Sequence, residues 1–183
     1  MLLILNLFNI TAHAQVNNAV AIYSLRLLNS SYQGAAITVR NGSNNETRNI
    51  RFYNGYLDTV QLKSFIGNAS AYVTKWFDQS GFERNAAQVD LVKQPRIMNA
   101  GIFDRVQNQV AIYFNNSNLR STDITISYPV EIRSITAIKE NTSGNVFKYG
   151  GGSLNGVAIG VGGLNYNTND NFYVRTSVRD RRD

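Results

Sequence analysis

The sequence predicts an all-β protein, a β-sandwich or barrel of short antiparallel strands, and three observations carry the prediction. Apolar, β-branched and aromatic residues recur in short alternating runs, at the roughly 8–12-residue spacing of sandwich strands. The runs are separated by clusters of Asn, Gly and Ser, residues suited to tight turns. The composition agrees: 183 residues include 24 Asn and 14 Gly but only 2 Pro, and just 16% are charged. A chain of this length is one domain, large enough to bury a core.

Residues 1–14 read as a secretory leader. A short apolar stretch closes on Ala12-His13-Ala14, the small-x-small pattern of a signal-peptidase site, with cleavage expected before Gln15. No Lys or Arg precedes it and Asn6 interrupts it, as in a leader truncated at its start. The sandwich domain is then expected over 15–183, incomplete at its C-terminus because no closing strand follows Val178.

Within that domain, Val20, Tyr23, Leu27 and Leu28 have helix-compatible spacing and predict a short helix over Ala19 to Leu28. Ala36 to Arg40 alternates like a strand and enters the turn Asn41-Gly-Ser-Asn-Asn; Arg48 to Tyr53 alternates again, predicting a hairpin. Asp58 is the expected N-cap of a helix from Thr59 to Ile66, with Val60, Phe65 and Ile66 inward and Gly67 as the stop. Ala71 to Phe77 is the clearest strand and ends in the turn Asp78-Gln-Ser-Gly81. Gln94 to Met98 reads as extended and Val110 to Phe114 as a strand. Further strands are expected over 123–127, 130–139, 146–149, 157–161 and 172–178, with Gly150–Gly152 and Gly162-Gly163 in turns.

Composition excludes several kinds of chemistry. The chain has no Cys, and its single His, His13, leaves with the leader. The mature domain then has no Ser-His-Asp or Cys-His site, no Cys/His zinc site and no disulfide. The formal net charge is +6, but the basic residues are scattered singly except for Arg175, Arg179, Arg181 and Arg182. A nucleic-acid binder concentrates them on a helix or stripe among aromatics, so no nucleic-acid partner is expected. No stretch reaches the ~20 apolar residues of a membrane span. The Gly-rich segment 150–163 lacks a Gly-Lys-Ser/Thr ending and a following helix, so it is no phosphate loop. Closely spaced acids for calcium are absent too, and no cofactor or metal is expected. Six Asn-x-Ser/Thr sequons, at Asn29, Asn41, Asn45, Asn68, Asn115 and Asn141, would be glycan acceptors in a eukaryotic secreted protein.

Carboxylates, amines, hydroxyls and amides remain. A carboxylate pair about 5–9.5 Å apart hydrolyses glycosides without His, Cys or cofactor. The candidates are Asp58, Asp78, Glu83, Asp90, Asp104, Asp123, Glu131 and Glu140. Trp76, the one tryptophan, is either a core residue or a sugar platform, and it stands just before Asp78-Gln79-Ser80-Gly81.

Five segments occur in the order of one known family: Tyr23 to Arg40, Leu57-Asp58-Thr59, Val73 to Gly81 with its aromatic-Asp-Gln-Ser-Gly box, Ala87-Gln88, and Gln94-Pro95-Arg96-Ile97. On these the chain resembles the N-terminal half of the catalytic domain of the α-L-arabinofuranosidase B family, the family 54 glycoside hydrolases. The similarity is good over 19–100 and weak onward to 160. The resemblance implies a concanavalin-like sandwich (a jelly roll) of two antiparallel sheets. It also implies retaining hydrolysis of terminal arabinofuranosyl groups by a Glu nucleophile and an Asp acid/base in the half after the box. Phe147-Lys-Tyr-Gly150 resembles the family segment that precedes the nucleophile. The 43 residues after Glu140 hold no Glu and three Asp, and Arg175 to Ser177 fall where acids are expected. The family's adjacent cysteine pair is absent as well.

The reading is therefore a secreted or cell-surface carbohydrate-binding or surface-interaction module without catalytic residues. Its partner is a polysaccharide or glycan, arabinose-containing ones included. The expected carbohydrate-binding residues are Trp76, Asp78, Gln79 and Tyr149. Two alternatives stay open. One is an arabinofuranosidase fragment whose catalytic residues lie beyond Asp183; the other is a filament or adhesin subunit that self-associates through strand edges.

Overall fold

The computed structural model describes residues 19–121 and, by their backbone, three later strands. The leader, the strands expected over 123–127 and 130–139, and the glycine turns at 150–152 and 162–163 lie outside the described residues. The chain falls into two compact units, Met1–Val130 and Glu131–Asp183.

The first unit begins with the expected hairpin, though its second strand ends at Ile50 rather than Tyr53. β1 (Ile37–Asn41) pairs antiparallel with β2 (Thr47–Ile50), Ile37 opposite Ile50 and Arg40 opposite Thr47. Asn41 shapes the turn: its Oδ1 accepts from the Ser43 N–H at 2.9 Å and the Ser43 hydroxyl at 2.8 Å. A small hairpin of β3 (Phe52–Tyr53) and β4 (Tyr56–Leu57) follows. Its turn is Asn54-Gly55, at φ 49° and 78°, the left-handed pair that a two-residue hairpin needs.

α1 (Thr59–Ile66) has the expected bounds. The Asp58 carboxylate accepts from the Gln61 N–H at 2.8 Å, and Gly67 closes the helix at φ 61°. Leu62 and Ile66 are its buried residues, one turn apart. Val60, expected inward, is 77% exposed, because two residues before Leu62 is about 200° around the helix. The Lys63 ammonium donates to the carbonyls of Gly67 and Gly101, both at 2.8 Å, and so ties the helix C-terminus to the sheet.

β5 (Ala71–Trp76) is the central strand. With β6 (Ala86–Ala87), β7 (Arg96–Asn99) and β8 (Ile102–Phe103) it completes a six-stranded antiparallel sheet ordered β2-β1-β5-β7-β8, with β6 beside β5. A single 3-10 turn, Leu91–Lys93, lies between β6 and β7. β9 (Arg105–Val106) and β10 (Gln109–Val110) form a separate hairpin. The strand expected over Val110 to Phe114 is thus shorter. Beyond Val110 the chain pairs with β7 through the Arg96–Tyr113 bridge. The core is Ala36, Ile37, Val39, Ile50, Ala71, Val73, Ile97 and Met98 from the sheet and its approach, with Leu57, Leu62 and Ile66 packed on them.

The helix expected over Ala19 to Leu28 does not form. The segment is irregular and extended, with one bridge from Arg26 to Tyr56. Its backbone groups bond outward: Leu27 N–H to the Gly55 carbonyl, Leu57 N–H to the Leu25 carbonyl, and others to Asp78 and Gln79. Helix-compatible apolar spacing cannot prevail where long-range partners claim the backbone.

The second unit contains three described strands, β11 (Gly144–Tyr149), β12 (Gly156–Val161) and β13 (Phe172–Ser177), paired antiparallel in that order. They match the expected runs at 146–149, 157–161 and 172–178. Every described strand pair is antiparallel and there is one described α-helix, so the described residues form an all-β structure.

Candidate functional site

The box Asp78-Gln79-Ser80-Gly81 turns inward. Asp78 is 2% exposed and Gln79 0%. Asp78 Oδ1 accepts from the N–H groups of Ile22 at 2.8 Å and Ser80 at 2.9 Å; Oδ2 accepts from the Ser80 hydroxyl at 2.6 Å and the Arg84 N–H at 3.1 Å. Gln79 Oε1 accepts from the Leu28 N–H at 2.8 Å, and its Nε2 donates to the Ser24 and Arg26 carbonyls at 3.1 and 2.9 Å. These two side chains latch the extended segment 20–29 along the end of the sheet. Their hydrogen-bonding capacity is spent there.

Trp76 belongs to the same neighbourhood. It packs against the core, with the Tyr23 ring 6.0 Å away at 51°. Its indole N–H is buried and makes no hydrogen bond. The Tyr23 hydroxyl donates to the Arg84 carbonyl, and burial, aided by the nearby Asp78 charge, pushes that phenol above its ordinary value. Tyr149 ends β11, opposite Val157. The structure therefore brings Trp76, Asp78 and Gln79 together, while Tyr149 stands in the second unit.

Two bulges decide what the sheet shows on its other face. Opposite β1, β5 carries an extra residue: Thr38 pairs with Lys75, but Val39 pairs with Val73, leaving Thr74 over. On β7 the extra residue is Ile97, since Ala71 pairs with Met98 and Tyr72 with Arg96. The bulge in β5 places Trp76 on the core face with Val73, and Lys75 with Tyr72 on the opposite face. Paired residues share a face, so one in-register row crosses that second face: Arg40, Tyr72, Arg96 and Tyr113.

The row alternates cation and ring. The Arg40 guanidinium lies 4.7 Å from the Tyr72 ring centroid, and that of Arg96 4.9 Å from Tyr113. Arg40 Nε donates to Gln94 Oε1 and its terminal nitrogen to Asn45 Oδ1, both at 2.8 Å. Arg96 grips Asp104 in a two-pronged pair at 2.8 and 2.9 Å, which raises its already high pKa further. Tyr72, Lys75, Arg96 and Tyr113 are half-buried, and Thr47 and Asn49 at the edge are exposed. Sequence reasoning missed this row. The signal available was alternation of Arg40, Tyr72 and Arg96 with apolar neighbours, but their convergence needed the strand register.

Of the five candidate carboxylates among the described residues, four hold local structure instead. Asp58 caps α1, Asp90 caps the 3-10 turn through the Val92 N–H at 3.1 Å, Asp78 fastens the latch and Asp104 is paired with Arg96. Glu83 is exposed at φ 58°. Asp123, Glu131 and Glu140 lie outside the described residues. Among the described residues no three His, Cys, Asp or Glu side chains come together in a way that could hold a metal ion, and no helix is long and apolar enough to cross a membrane.

No protein-family model matches the chain, and no curated protein does. A solved structure of a GH54 α-L-arabinofuranosidase soaked with a cyclic sulfate inhibitor is similar over 38% of this chain, at 32% identity and a TM-score of 0.35. The match spans 15% of that protein's length.

Proposed function

We propose that this chain is a carbohydrate-binding module of the concanavalin-like sandwich type, exported by its leader to the cell surface or beyond. The observation that carries the reading is the row Arg40–Tyr72–Arg96–Tyr113 on the face of the sheet away from the core. Arg40 and Gln94 are buried and brace the row from within, while the half-buried Tyr72, Arg96 and Tyr113 and the exposed Asn45 amide are held on or beside rigid strands. A sugar's many hydroxyls need such an array of donors and acceptors, set in advance so that little entropy is lost on binding. Trp76 supports this face from behind, and Asp78 and Gln79 hold the loop at its end.

Affinity electrophoresis of the whole chain through gels containing neutral and acidic polysaccharides tests the reading. Retardation by at least one polysaccharide, weakened about tenfold in affinity by Tyr72→Ala, is expected. Unchanged mobility in every gel would overturn it.

A further inference from the structure

The β3–β4 hairpin has a third segment beside it. The extended chain before β1 runs along β4, with an antiparallel bridge between Arg26 and Tyr56. The Leu57 N–H donates to the Leu25 carbonyl and the Leu27 N–H to the Gly55 carbonyl, both at 2.8 Å. The two faces of this narrow ribbon differ. Phe52, Leu57 and Leu25 pack on the core. Paired residues share a face, so Arg26, Tyr56 and Tyr53 form one in-register row on the other side. That row is open to solvent: Tyr53 is 67% exposed, Tyr56 50%, and Arg26 is exposed as well. The Arg26 guanidinium lies 5.1 Å from the Tyr56 ring centroid and is claimed by no carboxylate among the described residues. On the larger sheet, by contrast, Arg40 is buried and Arg96 is spent on Asp104.

We infer that the row Arg26–Tyr56–Tyr53 is a second saccharide site; the inference rests on the carbohydrate-binding reading of the chain but not on the row of the larger sheet. Sugar rings stack on Tyr53 and Tyr56, and the Arg26 guanidinium and the exposed Asn54 amide meet their hydroxyls. A sugar ring has an apolar C–H face and a polar rim, and tyrosine offers the matching flat ring with a polar tip. The ribbon sets these groups in advance. The Asn54-Gly55 turn fixes the hairpin, the Tyr32 ring meets Phe52 edge-on at 6.3 Å, and the two bonds to segment 25–27 hold its near side. Three positions at strand spacing cover about 10 Å, room for successive rings of one glycan. A folded protein partner fits less well. A tyrosine buries at most about 150–250 Å², so three side chains fall well short of the ~800 Å² per partner of a stable interface. A single-stranded nucleic acid also fits less well, since its backbone needs several cations and this row supplies one.

The experiment runs the whole chain through gels of arabinan, arabinoxylan, polygalacturonate, or no polymer, and reads variants in each gel that retards it. Tyr53→Ala is expected to weaken retardation about fivefold, and Tyr53→Phe, which keeps the ring, by less than about twofold. Tyr53→Ala combined with Tyr72→Ala should abolish it, because one polymer engages both sites of a chain. Melting curves confirm that the variants fold, and Tyr53→Thr, which keeps strand propensity without the ring, serves if Tyr53→Ala does not. Weakening by Tyr53→Ala with none by Tyr72→Ala still supports the site on the ribbon. Retardation left unchanged by Tyr53→Ala overturns this inference and leaves the carbohydrate-binding reading standing. Retardation in no gel overturns both. Equal weakening by Tyr53→Phe and Tyr53→Ala overturns stacking as the mode of binding. Displacement from arabinan by a single-stranded oligonucleotide at lower concentration than by free arabino-oligosaccharides overturns the inference in favour of nucleic acid. A dimer seen in sedimentation and dissolved by Tyr53→Ala overturns it in favour of a second copy of the chain.

Discussion

The two faces of the six-stranded sheet share the same strands and use their polar groups in opposite ways. Toward the core, where Trp76 and Val73 point, the nearby polar side chains Asp78 and Gln79 face inward and spend themselves on backbone groups of 20–29. On the other face, Arg40 stacks on Tyr72 and Arg96 on Tyr113; Arg40 is buried, and Tyr72, Arg96 and Tyr113 are half-buried. Buried polar groups that satisfy only the protein contribute stability; ordered polar groups near solvent contribute recognition. One face thus holds a latch, and the other holds the row on which the proposed recognition rests.

Substitutions should respect that separation. The largest effect is expected for Gln79→Ala, which strands the Leu28 N–H and the Ser24 and Arg26 carbonyls and leaves a cavity. Urea unfolding should show a loss of about 3–5 kcal/mol. Asp78→Asn keeps the volume but makes half of the carboxylate a donor facing donors, and should cost about 2–3 kcal/mol in the same measurement. In both variants, polysaccharide affinity of the folded fraction should be unchanged. A parallel loss of affinity would erase the distinction between the faces.

Tyr72→Leu should reverse the pattern, with stability changed by about 1 kcal/mol or less and polysaccharide affinity reduced about tenfold. The smallest effect concerns pH. The Tyr23 phenol is raised above 10.0 in the folded chain. Above that pH the unfolded chain ionises first and binds fewer protons than the folded one, so stability falls as pH rises toward the folded value. Tyr23→Phe should flatten that alkaline fall in melting temperature while leaving neutral-pH binding untouched. A fall equally steep in the variant would assign the effect to other tyrosines, Tyr32 foremost, whose phenol burial also raises.

Local features were legible in the residues. Asp58 and Gly67 bracket α1 at the bounds read from the chain, and the β1–β2 hairpin sits where the Asn-Gly-Ser turn placed it. Caps and turns act over three or four residues, so their signal is complete in the chain. The box 78–81 was visible as a feature, but its direction was not. Nothing in Asp-Gln-Ser-Gly says whether the side chains meet a ligand or the backbone of a segment fifty residues earlier. The Asn54-Gly55 hairpin follows from the same local turn chemistry.

What the sequence alone determined is the β class, the cap-defined helix and the turns, because each follows from conformational preferences within a few residues. What only the tertiary structure decided is which side of the sheet each residue faces. Strict alternation through Ala71-Tyr-Val-Thr-Lys-Trp would put Trp76 beside Tyr72 and Lys75 beside Val73. The extra residue Thr74 shifts the phase, so Trp76 joins the core and Lys75 joins the row. A bulge is set by how β5 meets β1, and a second one at Ile97 by how it meets β7. Such pairings join residues tens of positions apart, and their energy is invisible until the strands lie side by side.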